Sequence, residues 1–311
     1  MYDLIIIGGG PAGASAAVYA ARKQLKALFL TTEWGGQSAV SSEIQNWIGT
    51  PKIMGADLAD SLKKHVEEYH GEYLEIVAPS EATALHTFDD HIEVTTKKGE
   101  TYKAKTALIA TGAQRRKLNV PGAAEHDNKG LTYCASCDGP LFSGMEVAVI
   151  GGGNAAFESA LQLLAYCKSV TLLNRTENFR ADEISIAAAR SHPNMRIELN
   201  AEPTEVLGEQ FVSGMKYKDT KTGEIKELAV SGIFVEIGLL PNTGWLGDTL
   251  ALNDTKQIKV DARTQRTSHP RVWAAGDITD GVYHQNNIAA GDAVKALEDV
   301  YMFIRKSKSE A

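Results

Sequence analysis

The strongest constraint on this 311-residue sequence is a glycine spacing that occurs twice. Tyr2 to Ile7 is a short apolar run, Gly8-x-Gly10-x-x-Gly13 follows at once, and an alanine-rich stretch reaches about Lys23 before Ala27 to Thr31. In order this predicts strand, turn, helix and strand. In such a unit the first glycine makes the turn, the second lets backbone approach a pyrophosphate, and the third lets helix pack on strand. The helix start then offers unpaired N–H groups to an anion. The pattern returns as a strand over Glu146 to Ile150, Gly151-x-Gly153-x-x-Ala156, a helix over Phe157 to Tyr166 and a strand over Ser169 to Asn174. Ala156 still permits close packing, because the third position meets the strand and not the phosphate. Two such half-sites about 140 residues apart are a duplicated domain plan, not a short repeat.

The rest of the chain repeats in outline. Ile92 to Tyr102 alternates in character and predicts a hairpin turning at Lys98-Gly99, followed by an apolar strand and turn at Ala107 to Ala113. After the second glycine turn come a hairpin over Met215 to Leu228 and a strand-turn at Ile233 to Gly238. Val272 to Asp277 is again an apolar strand entering a Gly-Asp turn, with a helix from about Ile288 to Arg305. The economical packing returns this last strand and helix to the first domain. The expected fold is therefore α/β, with two Rossmann-like dinucleotide-binding domains of three-layer ββα form, the second inserted into the first. The first takes residues 1–116 and 244–311, the second 117–243.

Apolar content of 43% and charged content of 23% are ordinary for a folded soluble protein. A net charge of −7 opposes nucleic-acid binding, which needs a basic face toward phosphates. The clusters Arg115-Arg116-Lys117 and Arg305-Lys306-Ser307-Lys308 are too small to reverse this and are expected to be solvated surface. No basic segment precedes the first apolar run, Gly8-Gly9-Gly10 ends it, and no other long apolar stretch follows. A cytoplasmic protein without membrane attachment is expected. Three cysteines are too few for a secreted disulfide scaffold.

Two of those cysteines stand in Cys134-Ala-Ser-Cys137-Asp138-Gly139, shortly before the second glycine turn. Two intervening residues at a helix start bring the sulfurs within bonding reach, and a helix N-terminus favours thiolate. A redox pair is the preferred reading over zinc, which needs a second ligand pair that Cys167 alone does not supply, and over inert thiols. No metal is expected, and Cys167 is assigned to the core. Asp138 is either a general acid for a thiolate or a helix-start carboxylate.

Together Gly8-x-Gly10-x-x-Gly13, Gly35-Gly36-Gln37, Ala110-Thr111-Gly112, the Cys134–Gly139 segment, Gly151-x-Gly153-x-x-Ala156 and Ala275-Gly276-Asp277 resemble low-molecular-weight thioredoxin reductases, in the same order over almost the whole chain. Tyr133 to Phe142 and Ile233 to Thr243 are even more similar to the flavoprotein component of alkyl hydroperoxide reductase. That component carries a further N-terminal thioredoxin-like domain, which this chain is expected to lack.

The resemblance implies FAD held by Gly8, Gly10, Pro11, Ala12, Gly13, Gly35, Gly36, Gln37, Asn46, Thr111, Gly112, Gly276, Asp277, His284 and Gln285. It implies a nicotinamide nucleotide on Gly151, Gly153, Asn154, Ala155, Ala156, Asn174, Arg175, Arg180 and Gly238. Two departures stand out. Tyr283-His284-Gln285-Asn286 lies where thioredoxin reductases show Arg-Gln-Ala, and Asn174-Arg175-Thr176 with Arg180 replaces His-Arg-Arg with a further Arg. Two arginines remain and no carboxylate stands at Asn174, so NADPH is the expected donor, with NADH and then ferredoxin as alternatives.

The implied chemistry runs from nicotinamide through flavin to Cys137 and Cys134, with Asp138 supplying a proton and thioredoxin or a thioredoxin- or glutaredoxin-like protein as acceptor. The cysteines and the nucleotide turn share one domain and cannot readily reach the flavin together; the resemblance implies a rotation of that domain, with the crossings near Gln114 to Pro121 and Leu240 to Thr243 as the expected hinges. The resemblance also implies a homodimer. A peroxide-defence enzyme or oxidase working through a separate carrier, and a noncatalytic flavin sensor, are the other functions considered.

Overall fold

The computed structural model describes residues 1–41, 44 and 46–309, apart from the side chains of Val40, Ser136, Cys137 and residues 307–309. The chain divides into two compact units, Met1–Gln114 with Leu240–Ala311, and Arg115–Leu239. Both boundaries precede the expected ones, the second because Asn242 and Thr243 are bound into the first unit. The Asn242 N–H donates to Gly112 O, its Nδ2 donates to Thr111 O at 2.7 Å, and Thr243 Oγ1 donates to Lys256 O at 2.9 Å.

In chain order the first unit opens with β1 (Tyr2–Ile7), α1 (Pro11–Arg22), β2 (Ala27–Leu30), α2 (Gly55–Glu67) and β3 (Leu74–Val77). It continues through β4 (Ala82–Thr87), β5 (Ile92–Thr96) and β6 (Thr101–Ile109), and β7 (Ala113–Arg115) leads out. The second unit holds β8 (Leu131–Thr132), α3 (Ala135–Asp138), β9 (Glu146–Ile150), α4 (Asn154–Leu163), β10 (Ser169–Asn174), α5 (Glu183–Ser191) and β11 (Met195–Leu199). It ends with β12 (Ala201–Gly208), β13 (Val212–Asp219), β14 (Ile225–Leu228) and β15 (Gly232–Val235). After β16 (Leu239–Pro241) the first unit is completed by β17 (Val272–Ala274) and α6 (Asn286–Ser309).

The first unit is built on a sheet of order β3-β2-β1-β6-β5-β4 with β17 also on β6. β1 runs parallel to β2 and β6, while β4 and β5 are antiparallel additions. The expected hairpin arm and the expected strand at Ala107 are one continuous β6. Its first half pairs with β5 and its second half, from Ala107, with β17.

Period-two alternation sends the apolar residues of β1 to both faces. Leu4 and Ile6 pack under α1 and α6, where alanines at 16, 17, 20, 293 and 296 let the helices come close. Ile5 and Ile7 pack on the other side with Ile92, Val94, Leu246 and Ile258. A strand buried on both faces can be apolar throughout, which is why β1 reads as an unbroken run.

The second unit has a five-stranded parallel sheet, β11-β10-β9-β15-β8, and a three-stranded antiparallel sheet, β12-β13-β14. Val147 and Val149 face Ala156, Phe157 and Ile186 of α4 and α5, while Ala148 and Ile150 face Met215 and Tyr217 of the antiparallel sheet. Helices, parallel sheet and antiparallel sheet form three layers. Among the described residues, no helix is long and apolar enough to cross a membrane.

Candidate active site

The three glycines of the first turn are required for three different reasons. Gly8 has φ +122°, and a Cβ there would overlap the Ala110 carbonyl. A Cβ on Gly13 would overlap the Gly8 carbonyl. Gly10 has φ −77° and ψ −174°, open to any residue, and nothing lies within 4 Å of its Cβ position. Neither backbone nor packing asks for glycine there. What remains is free space at the start of α1, a helix with no side-chain cap and no acid in its first turn. Such a start leaves N–H groups for an anion.

The second turn repeats this logic residue for residue. Gly151 has φ +148° and a Cβ there would overlap the Glu236 carbonyl, and Ala156 is wholly buried against the sheet. Gly153 has φ −101° and ψ −179°, with nothing within 4 Å of its Cβ position and no side-chain cap on α4. Each unit thus keeps one cradle that a single methyl group would fill, and both fit the pyrophosphate of a dinucleotide.

Other expected residues gather at the first cradle. Gly35 N–H donates to Gly9 O, and the Cβ position of Gly36 lies 3.5 Å from Gly10 Cα. A Cβ on Gly276, at φ +77°, would lie 3.2 Å from Ala289 Cβ and 3.3 Å from Ala12 Cβ. Thr111 Oγ1 donates to Asn242 O at 3.2 Å. Asn46 Nδ2 donates to Gln285 Oε1 at 3.0 Å, and Asn287 Nδ2 donates to Asn46 O at 2.6 Å. His284 Nδ1 lies 3.5 Å from Asp277 Oδ1, and that hydrogen bond raises the imidazole pKa above its ordinary value. The imidazolium is thereby favoured at the position where the resemblance implies arginine. Gln37 stands exposed. Ser38, whose Oγ donates to Asn286 Oδ1 at 2.8 Å, was not expected, and no spacing in the sequence signals it.

At the second cradle, Arg180 N–H donates to Gly152 O at 2.7 Å, so its exposed side chain starts beside the glycine turn. Arg175 is exposed just past β10. Asn174 is buried and donates from Nδ2 to Thr176 O at 2.9 Å and Asn178 O at 3.1 Å, closing the loop between the two arginines. Asn154 is tied to Asp182, accepting from its N–H at 2.7 Å and donating from Nδ2 to its carboxylate at 3.1 Å.

One expectation is corrected here. Arg115 is not plain solvated surface; its Nη1 lies 3.5 Å from Oε2 of Glu236, a carboxyl only 10% exposed. Glu236 and Ser159, which donates to its Oε1 at 2.8 Å, were missed, although Ile233-Phe-Val-Glu236 does show an acid at the end of an apolar strand.

Cys134 is the N-cap of the single-turn helix α3 and is disulfide-bonded. The Cys137 side chain lies outside the described ones. Cys134 N–H donates to Thr132 Oγ1 at 3.3 Å, and Thr132 Oγ1 donates to Asp138 Oδ2. A chain of bonds so links the acid to the backbone of the cysteine. With one turn only, α3 contributes little macrodipole, so the expected help to the thiolate is local N–H groups rather than a long helix. Cys167 is free and buried, and burial pushes its thiol up to about 11. Among the described residues no group of three or more metal-ligating side chains converges.

A family model described as pyridine nucleotide-disulphide oxidoreductase matches residues 2–293. The chain belongs to that family. The oxidoreductase is 41% identical over 303 residues to the F subunit of alkyl hydroperoxide reductase from Staphylococcus aureus, covering 97% of this chain and 59% of that protein. It is 44% identical over 301 residues to the corresponding protein of Pseudomonas putida, covering 95% and 56%. It thus spans well under two thirds of these curated relatives. Among solved structures, thioredoxin reductase of Lactococcus lactis superposes with a TM-score of 0.77 at 34% identity, covering 98% of this chain and 100% of that one. The family implies FAD and a nicotinamide nucleotide as cofactors.

Proposed function

We propose that this oxidoreductase is an FAD-dependent disulfide reductase that takes electrons from NADPH and passes them through Cys134 and Cys137 to thioredoxin or a thioredoxin- or glutaredoxin-like protein. The observation that carries this reading is a disulfide-bonded Cys134 at a helix start, in the unit that also holds an open glycine cradle. FAD would lie on Gly8 to Gly13, Gly35, Gly36 and Gly276 and, when bound, supplies two-electron transfer between a nicotinamide and a disulfide. The nucleotide would lie on Gly151 to Ala156. Arg175 and Arg180 flank the loop closed by Asn174 and offer charge-assisted bonds to a 2′-phosphate, which favours NADPH over NADH.

In the reduced pair the Cys134 thiolate attacks the disulfide of the acceptor. A Cys134–acceptor bond forms, the acceptor bond breaks, and one acceptor sulfur leaves as thiolate. Cys137 then attacks Cys134, restoring the internal disulfide and releasing the second acceptor sulfur, so the acceptor gains the two electrons the pair loses. Asp138, held by Thr132, supplies the proton a thiolate needs. The cysteines and the nucleotide cradle sit in one unit, and its two crossings act as hinges that present them in turn. We include a cytoplasmic homodimer in this reading.

The similarity to the two alkyl hydroperoxide reductase proteins supports a second reading, electron supply to a peroxide-reducing system through a separate carrier. Anaerobic titration with NADPH and NADH, followed by assays against thioredoxin-like and peroxiredoxin acceptors, tests both. Flavin bleaching by NADPH, with acceptor reduction abolished in Cys134→Ser, is the expected result. Absence of bleaching by either nucleotide, or acceptor reduction that survives Cys134→Ser, overturns the reading.

A further inference from the structure

Glu236 is a carboxyl where packing alone asks for an apolar residue. It follows β15, all four residues of which are buried, and its own side chain is 10% exposed. Ser159 bonds it from a face of α4 otherwise made of Ala156, Phe157, Ala160 and Leu163. Burial raises the carboxyl pKa, and Arg115 and Ser159 only partly offset this. Burying a carboxyl costs stability that a partly exposed Arg115 3.5 Å away returns only in part, so packing does not account for this one.

Its place in the sheet does. β10 and β11 extend the parallel sheet on one side of β9, and β15 lies on the other, so strand order reverses between β9 and β15. Dinucleotides lie across the crevice outside the carboxyl ends of the strands at such a reversal. Gly151 is the first residue past β9 and Glu236 the first past β15, close enough that a Cβ on Gly151 would overlap the Glu236 carbonyl. Arg175 and Arg180 mark the β10 side as the place of the adenosine half. The nicotinamide half then falls on the β15 side, where the Cβ positions of Gly153 and Gly238 face open space. A carboxylate offers about four acceptor sites, and Ser159 and Arg115 occupy two of them.

We propose that Glu236 is a specificity residue for the nicotinamide half of the nucleotide, accepting hydrogen bonds from the donors on that half, the ribose hydroxyls or the carboxamide. This rests on the nicotinamide-linked reading above. Arg115 and Ser159 act as positioning residues that hold the carboxylate in place.

The test uses the FAD-loaded protein and its Glu236→Gln variant, with thermal melting to verify folding. Calorimetry measures binding of NADP⁺, its 3-acetylpyridine analogue, and adenosine 2′,5′-bisphosphate, which has no nicotinamide half. The expected result is about a ten-fold weaker affinity of the variant for NADP⁺, because a neutral amide oxygen replaces a charged acceptor, with the bisphosphate unchanged. A wild-type preference for NADP⁺ over the analogue that vanishes in the variant assigns the carboxamide. Equal weakening for both dinucleotides assigns the ribose. Unchanged NADP⁺ affinity, or equal loss for the bisphosphate, overturns the proposal. Wild-type protein that binds the bisphosphate but shows no flavin bleaching by either reduced nucleotide overturns the underlying donor reading instead.

Discussion

Gly153→Ala and Gly151→Ala add the same methyl group two residues apart and should do opposite things. At Gly153 the backbone angles suit alanine and the Cβ position is empty to 4 Å. Restricting the unfolded chain adds about 0.4–1 kcal/mol of stability. Replacing glycine by alanine at an N-cap removes a similar amount, about 1 kcal/mol or less. The folded protein should therefore be unchanged within about 1 kcal/mol. The same methyl fills the cradle, however, and separates a bound pyrophosphate from the N–H groups at the start of α4. Losing one charge-assisted hydrogen bond of about 2 kcal/mol is about thirty-fold in Kd.

At Gly151 the methyl overlaps the Glu236 carbonyl and sits on a residue at φ +148°. Overpacking of about 1–3 kcal/mol and backbone strain of about 1–3 kcal/mol should together cost roughly 3 kcal/mol or more. Spread over a unit of this size, that lowers the melting temperature by about 12 °C. Differential scanning calorimetry and NADPH titration of both variants give the two readouts, and the FAD absorbance ratio should stay constant in Gly153→Ala, whose change lies in the other unit. A Gly153→Ala protein that melts as low as Gly151→Ala, or that binds NADPH normally, would refute the reasoning.

Three further outcomes follow from the titratable groups. Glu236 has a folded pKa above its unfolded value, so it favours the folded state below the unfolded pKa and loses that favour as pH rises. Glu236→Gln should consequently melt at or above wild type near pH 7.5, with the difference shrinking below about pH 4.3, as melting curves across pH would show. His284 is also raised, by its bond to Asp277, and its contribution is present below about pH 6.5 and lost above; His284→Gln should lower the melting temperature at pH 5.5 but not at pH 8.5. Cys167, with its thiol at about 11, should resist thiol reagents at pH 8 in the native protein, so that reduction exposes reactive thiols only in the Cys134–Gly139 segment; labelling followed by peptide mapping checks this.

The glycine spacings read well in the sequence because each records a local demand. Backbone angles at Gly8 and Gly151 disfavour any side chain, whereas Gly10 and Gly153, where the fold itself would accept a methyl group, keep the space a bound pyrophosphate needs. Apolar runs such as Leu4 to Ile7 and Val147 to Ile150 are equally legible, since strands buried on both faces leave no polar position to blur the period. The expected β6 was split in two because its first half is partly exposed and its second half wholly buried, so the pattern changes inside one strand.

The sequence by itself determined two phosphate-cradling units, the cysteine segment and the family, because these depend on residues close together along the chain. Only the tertiary structure decided what depends on residues far apart. It joined Arg115, Ser159 and the buried Glu236 into one polar cluster, set His284 against Asp277, and bound Asn242 to Thr111 at the unit boundary. None of these pairings has a spacing to read, for each is made by which strand lies next to which. Burial then alters their chemistry: Glu236 becomes a carboxyl with a raised pKa, because its charged form has lost the water that would stabilise it.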